Sequence, residues 1–223
     1  MSLRSRARAQ GQFSPRSVAV LFTLLGLLLT LPGTSIADGG GEAVVRVEED
    51  WELVLNEPDF DINCPQFHSV MSPFGNLGNF YAQVTWNYRE QPGYTSGGVQ
   101  MQGWSGENLL LTKSFRSDEM STVAETVSWT QTLETNGEWL KFRIENGVST
   151  TWGDFGGDVM TIAESANLDN LNGYSSSVST GNSWITYGSN RVNLLVLREV
   201  RRYGASGLLS VDIQPKVVFQ FSN

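Results

Sequence analysis

The sequence has a single cysteine, Cys64, and a single histidine, His68, in 223 residues. One cysteine excludes an intramolecular disulfide, so we interpret Cys64 as a small buried apolar side chain, with pairing between chains as the alternative. Zinc and copper sites need several nitrogen or sulfur ligands, which these two residues cannot supply. A catalytic triad would have to use His68, near which no nucleophile-elbow motif occurs. We therefore interpret His68 as structural and assign no catalytic residue.

Basic residues are scarce outside the first 37 positions. The first 16 residues include four arginines, residues 18–31 form an apolar run, and small residues lead to Ala37. This three-part pattern is typical of a secretory signal peptide, and the run is shorter than the roughly 20 residues that span a bilayer. We predict a signal peptide over residues 1–37, a single domain over residues 38–223, secretion, and no membrane span after cleavage. An uncleaved membrane anchor is the alternative.

Positive charge is also too sparse for a nucleic-acid partner. Removing the four arginines of the signal peptide from the 15 basic residues leaves 11 against 23 acidic residues, a net charge of −12. Phosphate binding requires clustered lysine and arginine. The charge balance therefore excludes nucleic acid as an expected partner and favours extracellular solubility.

The most informative pattern covers residues 125–152, where Asn136-Gly137 separates two runs of alternating apolar and polar residues. Asn-Gly between such runs is the strongest local signal for a two-residue β-hairpin with a type I′ turn. That turn places Leu133 opposite Leu140 and puts Trp129 on the same apolar face. The pattern predicts a half-buried antiparallel sheet.

A second Asn-Gly, at residues 146 and 147, predicts another tight turn. A two-residue loop there would put Val148 and Trp152 on the polar face beside Lys141 and Arg143. The sequence therefore implies either a β-bulge or a solvent-facing tryptophan.

The whole domain shows about a dozen short strand patterns, frequent Gly and Asn turns, and no heptads or convincing amphipathic helix. Such a pattern is typical of an all-β fold with two packed antiparallel sheets, a β-sandwich or jelly roll. A closed barrel is the alternative.

The chain also shows two resemblances to known families. The phrases EEDWELVLNEP, STTWGDFGG and LNGYSSSVS resemble an uncharacterised family of secreted planctomycete bacterial proteins, which implies no activity. The order of FYAQVTWNY, GGVQMQGW and the long hairpin is similar to concanavalin-A-like (laminin-G-type) sandwiches. This second resemblance implies carbohydrate or protein binding.

Tryptophan is abundant, with seven residues in the chain. Trp86 and Trp129 alternate with apolar residues, which predicts that they lie in the core. Aromatic side chains among polar neighbours are typical of sugar-binding surfaces, since an indole ring offers a flat apolar face beside polar groups. The predicted ligand-binding residues are Trp104, Trp139, Trp152 and Arg143. A non-catalytic module that binds carbohydrate or a surface protein is the expected function.

Two alternatives are a structural cell-envelope protein and a glycan-active hydrolase. A glycosidase needs two carboxylates roughly 5 to 10 Å apart, and the long hairpin contains four glutamates. A solvated charged face would explain them equally well. No cofactor is expected except calcium, for which Asp154 and Asp158 flank the Phe155-Gly156-Gly157 loop. The glutamates are Glu125, Glu134, Glu138 and Glu145.

Overall fold

The computed structural model describes residues 29–30, 41–57, 67–74, 80–86, 98–116, 124–179 and 192–220. These residues form fourteen strands and one 3₁₀ turn, Asp158–Met160. Among them, no helix has the length and apolar character needed to cross a membrane. The strands are β1 (Leu29–Thr30), β2 (Arg46–Leu55), β3 (Phe67–Ser72), β4 (Phe80–Trp86), β5 (Val99–Ser105), β6 (Asn108–Arg116), β7 (Thr126–Thr135), β8 (Gly137–Ser149), β9 (Gly153–Phe155), β10 (Thr161–Leu168), β11 (Ser175–Ser179), β12 (Val192–Gly204), β13 (Gly207–Asp212) and β14 (Lys216–Gln220).

The strands form two antiparallel sheets that pack face to face, which confirms the predicted all-β sandwich. Sheet A has the order β1-β11-β3-β4-β5-β6, and sheet B has the order β10-β8-β7-β2-β12-β13. In sheet B, β9 also pairs with β8, and β14 with β12. Strand β1 lies inside the predicted signal peptide, whose cleavage stays a prediction. Cys64 lies outside the described residues.

Strand β2 crosses the middle of sheet B, and its side chains alternate between the core and the outer surface along the whole strand. The acidic cluster at residues 48–50 does not interrupt it. Glu48 and Asp50 point outward, where Arg201 contacts both carboxylates. Glu49 points inward and is fully buried. The strand continues through three consecutive acids because each has partners on its own side of the sheet.

The predicted hairpin between β7 and β8 exists, but its register differs from the prediction by two residues. Leu133 lies opposite Phe142 rather than Leu140, which pairs with Thr135. Gly137 and Glu138 are the central turn residues, and only Gly137 has a positive φ (92°), as in a type II′ turn. Side chains alternate with a period of two, so a shift of two residues keeps every side chain on its predicted face.

The second Asn-Gly is not a turn. Strand β8 continues through it to Ser149, and Asn146 adopts a positive φ of 52°. Thr130 pairs with Glu145 and Ser128 pairs with Val148, so two residues of β8 face a single residue of β7. This two-against-one arrangement is a β-bulge, the option that the sequence left open. The chain reverses later, before β9.

The core between the sheets is rich in tryptophan. Trp86 of sheet A and Trp129 of sheet B are 0% and 2% exposed, as predicted, and their ring centroids lie 4.2 Å apart. Trp51 stacks on Trp129 from the neighbouring strand, with centroids 6.1 Å apart. These large rings bridge the two sheets and account for much of the apolar area buried on folding.

Candidate functional site

One open site among the described residues is a shallow groove of about 400 Å³ at one edge of sheet B, lined by residues 137–139 and 165–167. We call it the Trp139 groove. The side chain of Trp139 is 48% exposed, and Ser165 and Asn167 are exposed on the neighbouring strand β10. Trp139 therefore presents an exposed indole face beside a hydroxyl and an amide group.

The backbone fixes the position of Trp139. The side-chain oxygen of Asn136 accepts hydrogen bonds from the backbone N–H groups of Glu138, at 3.1 Å, and of Trp139, at 2.9 Å. Trp139 also pairs with Ser165 across the β8–β10 ladder. The indole therefore extends from a strand whose backbone is fixed by hydrogen bonds, and not from a free loop. This lowers the entropy that is lost when a bound ligand orders the indole.

Trp152 does not lie on the surface, so its predicted place on the polar face is wrong. It is only 6% exposed and packs against Trp86 and Phe155, with ring centroids 6.3 and 5.5 Å away. The cause is the bulge at Asn146, which lets β8 continue and moves the chain reversal to residues 150–152. Trp152 cannot contact a surface ligand in this arrangement.

Trp104 lies on the outer face of sheet A, alternating with the core-facing Met101 and Gly103. It is partly exposed and stacks on Tyr81, with ring centroids 6.3 Å apart. Gln102 shares this face, but it is only 2% exposed. Because Trp139 lies on the opposite side of the sandwich, the structure does not join the three candidate tryptophans into one surface.

Arg143 lies on the outer face of sheet B, two strand positions beyond Lys141 and four residues from Trp139. Its guanidinium contacts the Glu145 carboxylate at 2.7 Å and lies 3.9 Å from that of Glu134. The hydrogen bond to Glu145 raises the pKa of Arg143 above its usual value. Arg143 does not line the Trp139 groove, and its charge is already compensated by neighbouring acids.

The two calcium candidates lie on the surface near the β8–β9 connection. Asp154 is exposed in β9, and Asp158 is exposed in the 3₁₀ turn. No group of three or more His, Cys, Asp or Glu side chains that could hold a metal occurs within the described parts of the chain. Calcium binding by Asp154 and Asp158 stays a prediction.

The four glutamates of the hairpin have separate environments. Glu134 and Glu145 belong to the charged outer face with Arg143, and Glu138 borders the Trp139 groove. Glu125 is only 6% exposed and accepts hydrogen bonds from Ser149 and from the backbone and side chain of Thr151. This carboxylate stabilises the chain reversal after β8.

The sequence analysis missed a buried polar cluster between the sheets. Its centre is Glu49, which is fully buried. One carboxylate oxygen accepts hydrogen bonds from Trp51 Nε1 at 3.0 Å and from Gln131 Nε2 at 2.5 Å. The other accepts one from the Tyr174 hydroxyl. In the alternating pattern of β2, Glu49 occupies a core-facing position between Val47 and Trp51. This position was the sequence signal that could have revealed the buried cluster.

Burial has a large effect on the acidity of this group. Desolvation raises the pKa of Glu49 to about 7, although hydrogen bonds from Trp51, Gln131 and Ser176 and the charge of Arg202 act in the opposite direction. Carboxyl groups with strongly shifted pKa values occur at functional sites and in structural networks alike. Glu49 is therefore a second candidate for a role beyond packing.

His68 lies on the outer face of sheet A opposite Thr85. Its Nδ1 lies 2.8 Å from the Thr85 hydroxyl and 3.2 Å from Gln83 Nε2. Desolvation lowers the pKa of His68 to about 4, so the imidazole is neutral near neutral pH. His68 as a whole residue is partly buried. These contacts agree with the structural interpretation of His68.

Comparisons with known proteins add little about function. No protein-family profile matches the chain, and no curated protein sequence is similar to it. One solved structure that it is similar to is scytalido-glutamic peptidase with a transition state analog inhibitor, at 8% identity and a TM-score of 0.38. That similarity covers 80% of this chain and 84% of the peptidase chain. At this level it does not support any inference about chemistry, and the planctomycete and concanavalin-A-like resemblances stay predictions.

Proposed function

We propose that this protein is a secreted, non-catalytic β-sandwich that binds carbohydrate in the Trp139 groove. The observation that supports this best is the half-exposed indole of Trp139 on a held strand, beside the polar side chains of Ser165 and Asn167. Secretion rests on the signal-peptide pattern of residues 1–37. The other candidate residues do not line this groove.

The chemistry of the groove suits a sugar ring. One face of a pyranose carries C–H groups that pack on an indole, and its hydroxyl groups exchange hydrogen bonds with hydroxyl and amide side chains. Ser165 and Asn167 provide such groups, and Glu138 provides a carboxylate acceptor. The groove is shallow and open to solvent, so a sugar would lie along the indole face rather than inside an enclosed cavity.

The test compares retention of three variants on insoluble polysaccharides and on a glycan array. Trp139→Ala should weaken binding at least about tenfold, because it removes the stacking surface, and a tenfold loss corresponds to about 1.4 kcal/mol. Trp139→Phe should keep part of the affinity because it retains an aromatic face. Val148→Ala is the matched control, since Val148 is another exposed apolar residue of the same strand.

Two results would contradict the proposal. One is that the unaltered protein binds no glycan in either format. The other is that Trp139→Ala binds as tightly as the unaltered protein while Trp104→Ala does not, which would move the site to the outer face of sheet A. The hydrolase and envelope alternatives stay predictions, because no contact among the described residues favours either.

A further inference from the structure

We propose that Glu49 is a proton-binding switch between the two sheets, and that its protonated form holds the sandwich together more tightly than its ionised form. This inference does not depend on the Trp139 groove or on carbohydrate binding. It follows from where the carboxyl group lies, which groups surround it, and which of those groups can exchange roles when a proton binds.

The cluster around Glu49 connects the two sheets. Gln131, which donates to Glu49, also accepts a hydrogen bond from Ser69 Oγ at 2.9 Å. Glu49 and Gln131 belong to sheet B, whereas Ser69 belongs to sheet A. Ser176 of sheet A is a further hydrogen-bond partner of Glu49. A change in the charge of this one carboxyl therefore acts on contacts that span the interior.

The ionised form has little compensating charge. None of the ion pairs among the described residues includes Glu49. The Tyr174 hydroxyl contacts Glu49 directly, and the charge of Arg202 lowers the pKa of Glu49 without forming an ion pair with it. The facing groups of β3, β7 and β11 are the uncharged Ser69, Gln131 and Ser176. A buried carboxylate without a paired cation is costly, so the neutral form is favoured.

The hydrogen bonds also identify the groups that can respond. Trp51 and Gln131 can only donate to Glu49 in this arrangement, because an indole and an amide nitrogen have no acceptor role here. A protonated Glu49 needs an acceptor for its own O–H. The hydroxyl groups of Tyr174 and Ser176 can reverse their roles, since a hydroxyl both donates and accepts. Tyr174 is partly exposed, so protonation inside the core is coupled to a side chain at the surface.

The direction of the effect follows from proton linkage. Burial raises the pKa of Glu49 to about 7 in the folded protein, above its ordinary value of 4.5. Between these values the folded state binds more protons than the unfolded state. Stability is therefore highest at the acidic end of this range and falls as the pH rises through about 7.

The first experiment measures thermal melting of the full chain from about pH 4 to about pH 8, a range that includes both ends of the expected transition between 4.5 and about 7. The unaltered protein should lose melting temperature as the pH rises. Glu49→Gln, a neutral analogue of the protonated acid, should show a much smaller loss. Glu125→Gln is the matched control, because it also removes a buried, hydrogen-bonded carboxylate, and it should keep the slope of the unaltered protein.

The second experiment keeps the proposal testable even if Glu49→Gln does not fold. It follows the side-chain carboxyl carbon of Glu49 by ¹³C NMR in the unaltered protein and in Tyr174→Phe. The carboxyl should titrate near neutral pH, and the midpoint should move in Tyr174→Phe, because the Tyr174 hydroxyl contacts the carboxyl directly. Titration of Glu49 at an ordinary carboxyl pH, or an unchanged melting slope in Glu49→Gln, would overturn the proposal.

Discussion

The dipeptide Asn-Gly occurs twice in the long hairpin, and the two copies have different conformations. At the first copy Gly137 has a φ of 92° and the chain reverses. At the second copy the positive φ, 52°, belongs to Asn146, and strand β8 continues through a bulge. The same two residues therefore end a strand in one place and bend it in the other.

The surroundings of the two glycines explain why both positions need glycine. A side chain at Gly137 would have space, since the nearest atom to an added Cβ is Asp169 Oδ1 at 3.7 Å. An added Cβ at Gly147 would overlap the Phe155 ring. Gly137 is needed for its backbone conformation and Gly147 for its small volume. The comparison shows that a turn signal in the sequence reports local conformational freedom, whereas packing decides how it is used.

The largest expected effect concerns Trp152, the tryptophan that follows the second Asn-Gly dipeptide. Trp152→Ala removes a ring that packs against Trp86 and Phe155 in the core. We expect a loss of about 3–5 kcal/mol in the free energy of unfolding, measured by chemical denaturation. Trp152→Phe is the control and should lose less, because it refills part of the volume. A loss below about 1 kcal/mol for Trp152→Ala would contradict its burial.

The next effect tests the crowding at the bulge. Gly147→Ala should destabilise the protein by about 1–3 kcal/mol, because Phe155 is itself packed among core tryptophans and has little room to move. The double variant Gly147→Ala with Phe155→Leu should lose less than the sum of the two single variants. Strict additivity in this double-mutant cycle would show that the ring is not the obstacle.

A smaller loss of stability is expected at Gly137, in the first Asn-Gly dipeptide. Gly137→Val places a β-branched residue at a φ of 92°, and we expect a loss of roughly 1 kcal/mol or more from backbone strain alone. Gly137→Asn should lose less, because asparagine tolerates positive φ values better than other residues with a side chain. Equal losses for the two variants in denaturant melts would show that strain is not the cause.

The fold class could be predicted because side-chain alternation survives errors in turn geometry. The predicted register of the β7–β8 hairpin was wrong by two residues, yet Trp129, Leu133 and Leu140 all face the core as predicted. The position of Trp139 could be predicted for the same reason. It follows the first turn directly, and its face depends only on the local alternation.

The position of Trp152 could not be predicted, because a bulge adds one residue and changes the face of everything after it. The role of Glu49 was hidden for a different reason. Three consecutive acids suggest a solvated segment, although the alternation of Val47, Glu49 and Trp51 indicates that the middle one points inward. The partners Gln131 and Tyr174 are far from Glu49 in sequence, so the local pattern could identify the buried glutamate but not the cluster around it.

The smallest expected effect on stability concerns the tryptophan that follows the first copy. Trp139→Ala should change the free energy of unfolding by no more than about 0.5 kcal/mol, because the ring is 48% exposed and its backbone is held by Asn136 and Ser165. The same denaturant melts used for Trp152→Ala measure it. A loss of several kcal/mol would show that the indole stabilises the edge of sheet B by packing. Reduced glycan retention by Trp139→Ala would then reflect damage to the fold, so the matched stability of this variant is what allows its binding result to be interpreted.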